Sequence, residues 1–235
     1  MRILVMPDVH LKPKMFADGA ALLRAGEADR AVCLMDLADD WNQQFNIPLY
    51  EETYDAALSF AEKFPDTLWC CGNHDIAYQW QQGVSGQSVR ATRTVCEKLD
   101  ILKEIAGESL GFVHVADKVM FSHGGVCQAF VNEYIPEPET KTPADIAAEI
   151  NQLGYSQLWQ DLSSLWYRPQ YGEPMYLPDS LLQVAGHTPF EEITEIGGVV
   201  YCDLFSAHPD GHPVGARQWL VVDTDSLDCR IINRD

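Results

Sequence analysis

Short apolar runs alternate with amphipathic segments along the first third of the chain. The runs at residues 2–6, 31–35 and 67–71 have the length and apolar character of buried strands. Between them, residues 17–28 and 51–64 carry apolar side chains at helical spacing. This β-α-β-α-β order predicts an α/β fold with a partly parallel sheet.

Beyond residue 72 the pattern predicts two helices, a hairpin and a tail rich in strands. Thr142 before Pro143 is typical of a helix start, because threonine caps the first turn and proline fits its first position. Because the strands fall into two groups, we expect two mixed β-sheets packed face to face and flanked by helices, in a single domain over residues 1–235. The helical patterns lie at residues 88–105 and 142–153, and the strand patterns at 111–116, 118–122, 182–185, 193–196, 199–202, 218–222 and 229–232.

Polar side chains of metal-binding types follow five of these predicted strands. In open α/β sheets, ligands bind just beyond the carboxyl ends of the strands. Any one cluster also fits a turn, but five clusters that each follow a strand favour one shared site. Carboxylate, imidazole and amide ligands suit manganese, iron or zinc, and one carboxylate can bridge two ions. The clusters are Asp8-Val9-His10, Asp36-Leu37-Ala38-Asp39-Asp40, Gly72-Asn73-His74-Asp75, His123-Gly124-Gly125 and Gly186-His187-Thr188.

The charge balance narrows the class of partner. The chain has 16 Lys and Arg against 35 Asp and Glu, a formal net charge of −19. This balance argues against stable binding of nucleic acid through a broad basic face. No apolar window is long enough for a membrane span, and the first apolar run is too short for a signal peptide. With seven cysteines and no C-x-x-C pair, we expect reduced thiols and a cytoplasmic location, with no membrane partner.

In chain order, these clusters resemble the motifs of the calcineurin-like metallophosphoesterase superfamily: D-x-H, G-D-x-x-D, G-N-H-D/E, a histidine before glycines, and G-H. Two further segments resemble its serine/threonine protein phosphatase branch and the bacterial relatives of that branch. Residues 120–125 (Met-Phe-Ser-His-Gly-Gly) resemble C-H-G-G, and residues 204–207 (Leu-Phe-Ser-Ala) followed by Gly215-Ala216 resemble F-S-A-P…G-A. Diadenosine tetraphosphate hydrolases share much of this layout.

The resemblance implies a metallophosphoesterase-type sandwich of two mixed β-sheets that holds two divalent transition metal ions. Manganese is the first expectation, and iron and zinc are the alternatives. Asp8 and His10 would bind the first ion, and Asp36 would bridge the two. The implied ligands of the second ion are Asn73, His123 and His187.

The resemblance also assigns the chemistry. A hydroxide that bridges the ions would attack phosphorus in line. His74 would be the general acid that protonates the leaving-group oxygen, and Asp75 would orient His74 and tune its pKa. Loss of His74 would then reduce turnover by at least about 10²-fold.

Three positions depart from the family pattern. Met35 stands where the family has a glycine before the bridging aspartate, and Asp40 stands where the phosphatase branch has a phosphate-binding arginine. Pro189 replaces the second histidine that many members have in G-H-x-H. Arg168 is the candidate that replaces the missing arginine as a phosphate contact, and the alternative is that Arg168 is a surface residue on a loop.

The sequence therefore predicts a metal-dependent phosphoesterase that hydrolyses phosphomonoesters, either on a small molecule or on a phosphoprotein. The missing arginine motivates an alternative, the hydrolysis of dinucleoside polyphosphates or phosphodiesters. For that alternative, the aromatic candidates for a nucleoside contact are Trp41, Phe45, Trp166 and Tyr171. A third interpretation is a metal-bearing scaffold protein without activity. The sequence leaves the oligomeric state open.

Overall fold

Two mixed β-sheets form the centre of the computed structural model, which describes residues 1–233. The first sheet has the order β11 (Cys229–Asn233), β10 (Gln218–Asp223), β1 (Arg2–Met6), β2 (Arg30–Cys33), β3 (Leu68–Cys70) and β4 (Leu110–Gly111). The second has the order β5 (Val113–Ala116), β6 (Val119–Ser122), β7 (Leu182–Pro189), β9 (Val199–Asp203) and β8 (Thr194–Ile196). Strands β1 to β4 pair in parallel, as do β6, β7 and β9, and antiparallel strands complete each sheet. The predicted fold class is confirmed.

Helices cover the outer face of each sheet. Helices α1 (Lys14–Arg24), α2 (Ile47–Lys63) and α4 (Thr92–Ala106) pack against the first sheet. Helices α5 (Gln128–Tyr134), α6 (Pro143–Ile150) and α7 (Tyr155–Leu158) pack against the second, and α3 (Asn73–Gln79) follows β3. None of the helices within residues 1–233 is long and apolar enough to cross a bilayer.

The apolar core between the sheets follows from strand alternation. In β1, Ile3 and Val5 face the second sheet, whereas Leu4 and Met6 face the helices. Because both faces of this strand are covered, it reads as a continuous apolar run rather than an alternating one. The single domain over residues 1–235 stays a prediction, and residues 234–235 lie outside the described part.

The strand predicted at residues 111–116 is divided between the two sheets. β4 ends at Gly111 and pairs with β3, whereas β5 begins at Val113 and pairs with β6. The side chain of Asn151 holds the crossover, because its Oδ1 accepts from the N–H groups of Phe112 at 2.7 Å and Val113 at 3.0 Å. Its Nδ2 donates to the Val113 carbonyl at 2.8 Å. The helix predicted to end at residue 153 ends at Ile150, directly before this residue.

Replacement of Asn151 by alanine is expected to destabilise the fold. The change leaves two backbone N–H groups and one carbonyl at the crossover without their partner, at a cost of about 2 kcal/mol. Urea unfolding followed by circular dichroism measures this loss. Asn132→Ala is the matched control, because the Asn132 side chain is exposed on the surface of α5, where it accepts from Gln128. An Asn151→Ala protein as stable as Asn132→Ala would contradict the role of Asn151.

Candidate metal centre

A cavity of about 380 Å³ opens at the carboxyl ends of the central strands. Polar clusters from both sheets meet there. Asp8, His10, Asp36 and Asn73 come from segments that follow β1, β2 and β3, whereas His123 follows β6 and His187 lies in the last part of β7.

Two paired loops extend the first sheet beyond β1 and β2. The N–H of Val9 donates to the Met35 carbonyl at 3.0 Å, and the N–H of His10 donates to the Asp36 carbonyl at 2.7 Å. Met35 and Asp36 have φ angles of +58° and +40°. The left-handed region costs a residue other than glycine roughly 1–2 kcal/mol, which gives a reason why relatives have glycine at the Met35 position. Here the Met35 side chain is fully buried in the core against the helices.

Asp36 lies at the centre of the site. Its Oδ1 accepts from the backbone N–H of His74 at 2.9 Å. Its Oδ2 lies 3.3 Å from Nε2 of His123 and 3.8 Å from Nε2 of His10. A Cβ at Gly72 would lie 2.1 Å from Asp36 Oδ1, so only glycine fits beside this carboxylate.

The backbone fixes which nitrogen of His10 and His123 faces Asp36. Nδ1 of His10 lies 2.8 Å from the Asp39 carbonyl, and Nδ1 of His123 lies 2.8 Å from the Leu34 carbonyl. Nδ1 is therefore the protonated nitrogen in each neutral ring, and Nε2 is free to bind a metal. Oδ1 of Asn73 lies 2.9 Å from Nε2 of His123, so the amide oxygen is beside the nitrogen that faces Asp36.

Asp8 and His187 each carry a buried atom that has no hydrogen-bond partner among the described residues: Oδ1 of Asp8 and Nε2 of His187. The other carboxylate oxygen of Asp8 accepts from the N–H of His187 at 2.8 Å. Burial and the neighbouring His123 lower the pKa of His187 well below its ordinary value, so its ring is neutral. Burial and the nearby Asp203 carboxyl raise the pKa of Asp8. Both atoms have the chemistry of metal ligands, and no other residue within 1–233 is their hydrogen-bond partner.

Two groups of ligand atoms overlap at Asp36. Asp8, His10 and Asp36 form one group, and Asp36, His123 and His187 form the other, with the ligand atoms of each group within 4.8 Å of one another. The residues present thus fit a pair of divalent ions that share one carboxylate. All six residues that the sequence suggested as ligands converge here.

The prediction that Asp75 orients His74 is wrong, although the Asp75 charge is one of those that raise the pKa of His74. Nδ1 of His74 lies 3.0 Å from Oδ2 of Asp39, which is the carboxylate behind the ring. Asp39 is itself held by the hydroxyl groups of Tyr50 at 2.8 Å and Tyr78 at 2.5 Å. Burial lowers the pKa of His74, but Asp36 and the hydrogen bond with Asp39 outweigh it and raise that pKa above its ordinary value.

The Asp75 carboxylate supports the loop that follows Asp36 instead of the His74 ring. Its carboxylate accepts from the N–H groups of Leu37 at 3.0 Å and Ala38 at 3.1 Å, and from the Tyr54 hydroxyl at 2.6 Å. Adjacent residues of a helix do not face the same side, and His74 and Asp75 are adjacent in α3. Asp75 therefore fixes the backbone that follows Asp36.

The departures from the family pattern have local explanations. Asp40 accepts from Lys12 Nζ at 2.9 Å and from the N–H of Trp41 at 2.8 Å, so its charge is paired. Arg168 lines the cavity, and its Nη1 donates to the His187 carbonyl at 2.9 Å. Arg168 thus lies in the site rather than on a free loop, with further N–H donors left for a substrate.

Asp203 is a site residue that the sequence analysis missed. It is 1% exposed, lines the cavity and is the register partner of Pro189 across β7 and β9. The Ser206 hydroxyl lies 2.8 Å from Oδ1 and 2.9 Å from Oδ2 of this carboxylate. The predicted strand ends at residue 202, and Asp203 follows it directly, before Leu-Phe-Ser-Ala. This position at a strand end was the sequence signal that could have identified Asp203.

Solved structures of similar fold include known phosphatases. A cold-active protein-tyrosine phosphatase from a psychrophilic Shewanella species has a TM-score of 0.56 and 14% identity over 99% of this chain and 80% of that one. A protein serine/threonine phosphatase from Saccharomyces cerevisiae has a TM-score of 0.56 and 13% identity over 100% of this chain and 80% of that one. A metallophosphoesterase from Sphaerobacter thermophilus has a TM-score of 0.50 and 16% identity over 100% of this chain and 89% of that one. At these identities the likeness concerns the fold alone.

Sequence comparison supplies the family. No curated protein sequence matches the chain. The profile of the calcineurin-like phosphoesterase family matches residues 1–208, a range that contains every residue of the site described above. This chain belongs to the calcineurin-like phosphoesterase family, and the family together with the fold makes it a hydrolase.

Proposed function

We propose that this protein hydrolyses phosphomonoesters with two divalent metal ions, manganese first among the candidates. The observation that carries the proposal is the overlap of two ligand groups at Asp36. When bound, such a pair of ions supplies positive charge for the phosphate and lowers the pKa of a water molecule that acts as nucleophile. The ligands of one ion would be Asp8, His10 and Asp36, and those of the other would be Asp36, Asn73, His123 and His187.

His74 is the residue that would hold the proton for the leaving group. Its Nδ1 faces Asp39, which leaves Nε2 for the substrate oxygen. The ring lines the cavity. A positioned acid of this kind contributes about 10²–10⁴-fold to a rate. Asp39 would act through His74, because its negative charge favours the protonated ring.

Arg168 supports a monoester rather than a diester. A phosphomonoester has three non-bridging oxygens, and two ions plus one guanidinium provide three positive partners. Arginine is suited to this contact, because its planar fork matches the geometry of phosphate oxygens. Arg168 is the one Lys or Arg among the described residues that line the cavity.

The pairing of Asp40 with Lys12 favours the alternative substrate class. In relatives of the phosphatase branch an arginine at the Asp40 position adds positive charge, whereas here a neutralised ion pair stands at the rim. A phosphodiester, with one negative charge fewer than a monoester dianion, needs less compensation. Phosphodiesters are therefore the second candidate class, and dinucleoside polyphosphates, which carry more negative charge than a monoester, gain no support from this feature.

Comparison of two chromogenic esters tests the proposal. The protein is stripped with a chelator, reloaded with Mn²⁺ and analysed for bound metal. We expect two ions per chain, no hydrolysis without metal, and a higher kcat/KM for p-nitrophenyl phosphate than for bis-p-nitrophenyl phosphate. A higher kcat/KM for the diester would favour the second candidate class of substrates instead. Two bound ions without hydrolysis of either ester would contradict both classes.

Replacement of His74 by asparagine is expected to lower kcat at least about 10²-fold, because the leaving group loses its proton donor. Bound Mn²⁺ is measured in parallel and is expected to stay at the wild-type level, because the His74 ring is not among the ligands. His212→Asn is the control, since His212 lies on an exposed loop outside the cavity. Turnover by His74→Asn at the rate of the control would remove His74 from the mechanism.

The pH dependence separates the roles of Asp39 and Asp75. The acid must be protonated, so kcat falls as pH rises through the pKa of His74, which Asp36 and Asp39 raise. In Asp39→Asn that pKa falls, and the alkaline limb of kcat moves to lower pH. In Asp75→Asn the limb moves less, and Mn²⁺ binding weakens because the loop after Asp36 loses its support. A larger shift for Asp75→Asn than for Asp39→Asn would reverse the assignment.

A further inference from the structure

Trp41 is a tryptophan on the cavity wall that belongs to none of the apolar cores. The chain has six tryptophans. Trp69 and Trp219 are buried in the core of the first sheet, and Trp80, Trp159 and Trp166 pack against the core of the second. Trp41 is absent from all three cores in the described part and lines the cavity instead. A large aromatic side chain that supports no core has its flat surface available to a ligand.

The position of Trp41 relative to His74 indicates which part of a substrate it meets. In an in-line displacement, the leaving group departs towards the acid that protonates it, which is Nε2 of His74. Trp41 and His74 both line the cavity, and the loop that carries Trp41 follows Asp39, whose carboxylate contacts the His74 ring. The N–H of Trp41 donates to Asp40 at 2.8 Å, which fixes the start of this loop. The group attached to the leaving oxygen therefore lies in the same cavity as the Trp41 side chain.

The same side of the cavity has room for a flat ring. Residues 83–86 line it, and a Cβ at Gly83 or Gly86 would meet no atom within 4 Å. The segment that follows is joined to the Trp41 loop, because the N–H of Ser88 donates to Asp39 at 3.3 Å and its hydroxyl donates to the Gln44 carbonyl. Asn42 Nδ2 donates to the Pro209 carbonyl at 3.0 Å and bridges the loops at the rim.

The charges near Trp41 do not favour an anionic leaving group. Arg168 contacts the His187 carbonyl, on the side of the proposed ions. Beside Trp41 the lining residue is Asp40, whose carboxylate is paired with Lys12 Nζ at 2.9 Å. A leaving group that carries its own phosphate or carboxylate would therefore find no unpaired Lys or Arg on the described part of this wall.

We propose that Trp41 forms a stacking wall for the leaving group, so that the site selects phosphomonoesters of uncharged aromatic alcohols. The proposal rests on the function proposed above and narrows its substrate class. An aromatic ring on the leaving group stacks on Trp41, and the phosphate lies at the ions and Arg168. The side chain of tyrosine and a nucleoside are two natural sources of such a group.

A matched pair of esters tests the proposal. Benzyl phosphate and cyclohexylmethyl phosphate have leaving alcohols of similar basicity and size, but only the benzyl ring is flat. In the Mn²⁺-loaded protein we expect kcat/KM for the benzyl ester to be about tenfold higher, the effect of one aromatic stacking contact. Trp41→Ala brings the ratio of the two esters close to one, and Trp41→Phe keeps part of it. Phe45→Ala is the control, because Phe45 is 74% exposed on the same loop and does not line the cavity.

Binding of the corresponding phosphonates keeps this test separate from catalysis. Benzylphosphonate and cyclohexylmethylphosphonate are not hydrolysed, and calorimetry measures their affinities in each variant. If no ester is hydrolysed while Trp41→Ala still weakens benzylphosphonate selectively, the proposed activity fails and aromatic recognition stands. Equal affinities of the two phosphonates for the wild-type protein, or a ratio unchanged in Trp41→Ala, would overturn the proposal.

Natural esters then distinguish the two sources of the ring. We expect phosphotyrosine in a neutral peptide with blocked ends, or a nucleoside 5′-monophosphate, to be a better substrate than phosphoserine in the same peptide, and the preferred one to lose most from Trp41→Ala. A preference for phosphoserine that Trp41→Ala does not change would count against the aromatic class. A preference for a substrate with a second phosphate on its leaving group would contradict the role assigned to Asp40.

Discussion

Burial of negative charge around one cavity is the constraint on which the rest of this structure depends. Five carboxyl groups there are between 0% and 2% exposed: Asp8, Asp36, Asp39, Asp75 and Asp203. Burial of a carboxylate without compensation costs several kcal/mol. Tyrosine and serine hydroxyl groups and backbone N–H groups donate hydrogen bonds to three of them: Asp39, Asp75 and Asp203. Asp8 and Asp36 have histidines and backbone N–H groups around them and no Lys or Arg in any described ion pair, which is the arrangement that bound cations complete.

Two of the hydrogen-bonded carboxylates, Asp39 and Asp75, support different parts of the site around Asp36. Asp39 holds the His74 ring from one side, and two tyrosine hydroxyl groups fix Asp39 in turn. Asp75 holds the backbone of Leu37 and Ala38 from the other side. The bridging carboxylate and the candidate acid thus have separate supports, although the two supporting aspartates belong to the same two sequence motifs. Because the supports are separate, the pKa of His74 can change without movement of Asp36.

The strand-end clusters made much of the site predictable from sequence, because parallel strands bring their carboxyl ends to one edge of the sheet.

The hydrogen-bond partner of His74 was not predictable in the same way. Asp75 is its neighbour in sequence, but helical geometry turns adjacent side chains apart, and the residue that reaches the ring lies 35 positions earlier. Asp203 was missed because the strand pattern ended one residue too early. The division of residues 110–116 between two sheets depends on the side chain of Asn151, directly after α6, and a local apolar pattern carries no information about such a contact.

The two groups of candidate ligands differ in the sheets from which they come. Asp8, His10 and Asp36 all follow strands of the first sheet, so that half belongs to one rigid layer. His123 and His187 belong to the second sheet, and together with Asp36 they form a half that spans the interface between the layers. An ion held there would cross-link the two sheets, and its binding free energy would add to the stability of their packing. Metal affinity at that group and the spacing of the two sheets would then be linked quantities, and a core substitution far from the cavity would affect both.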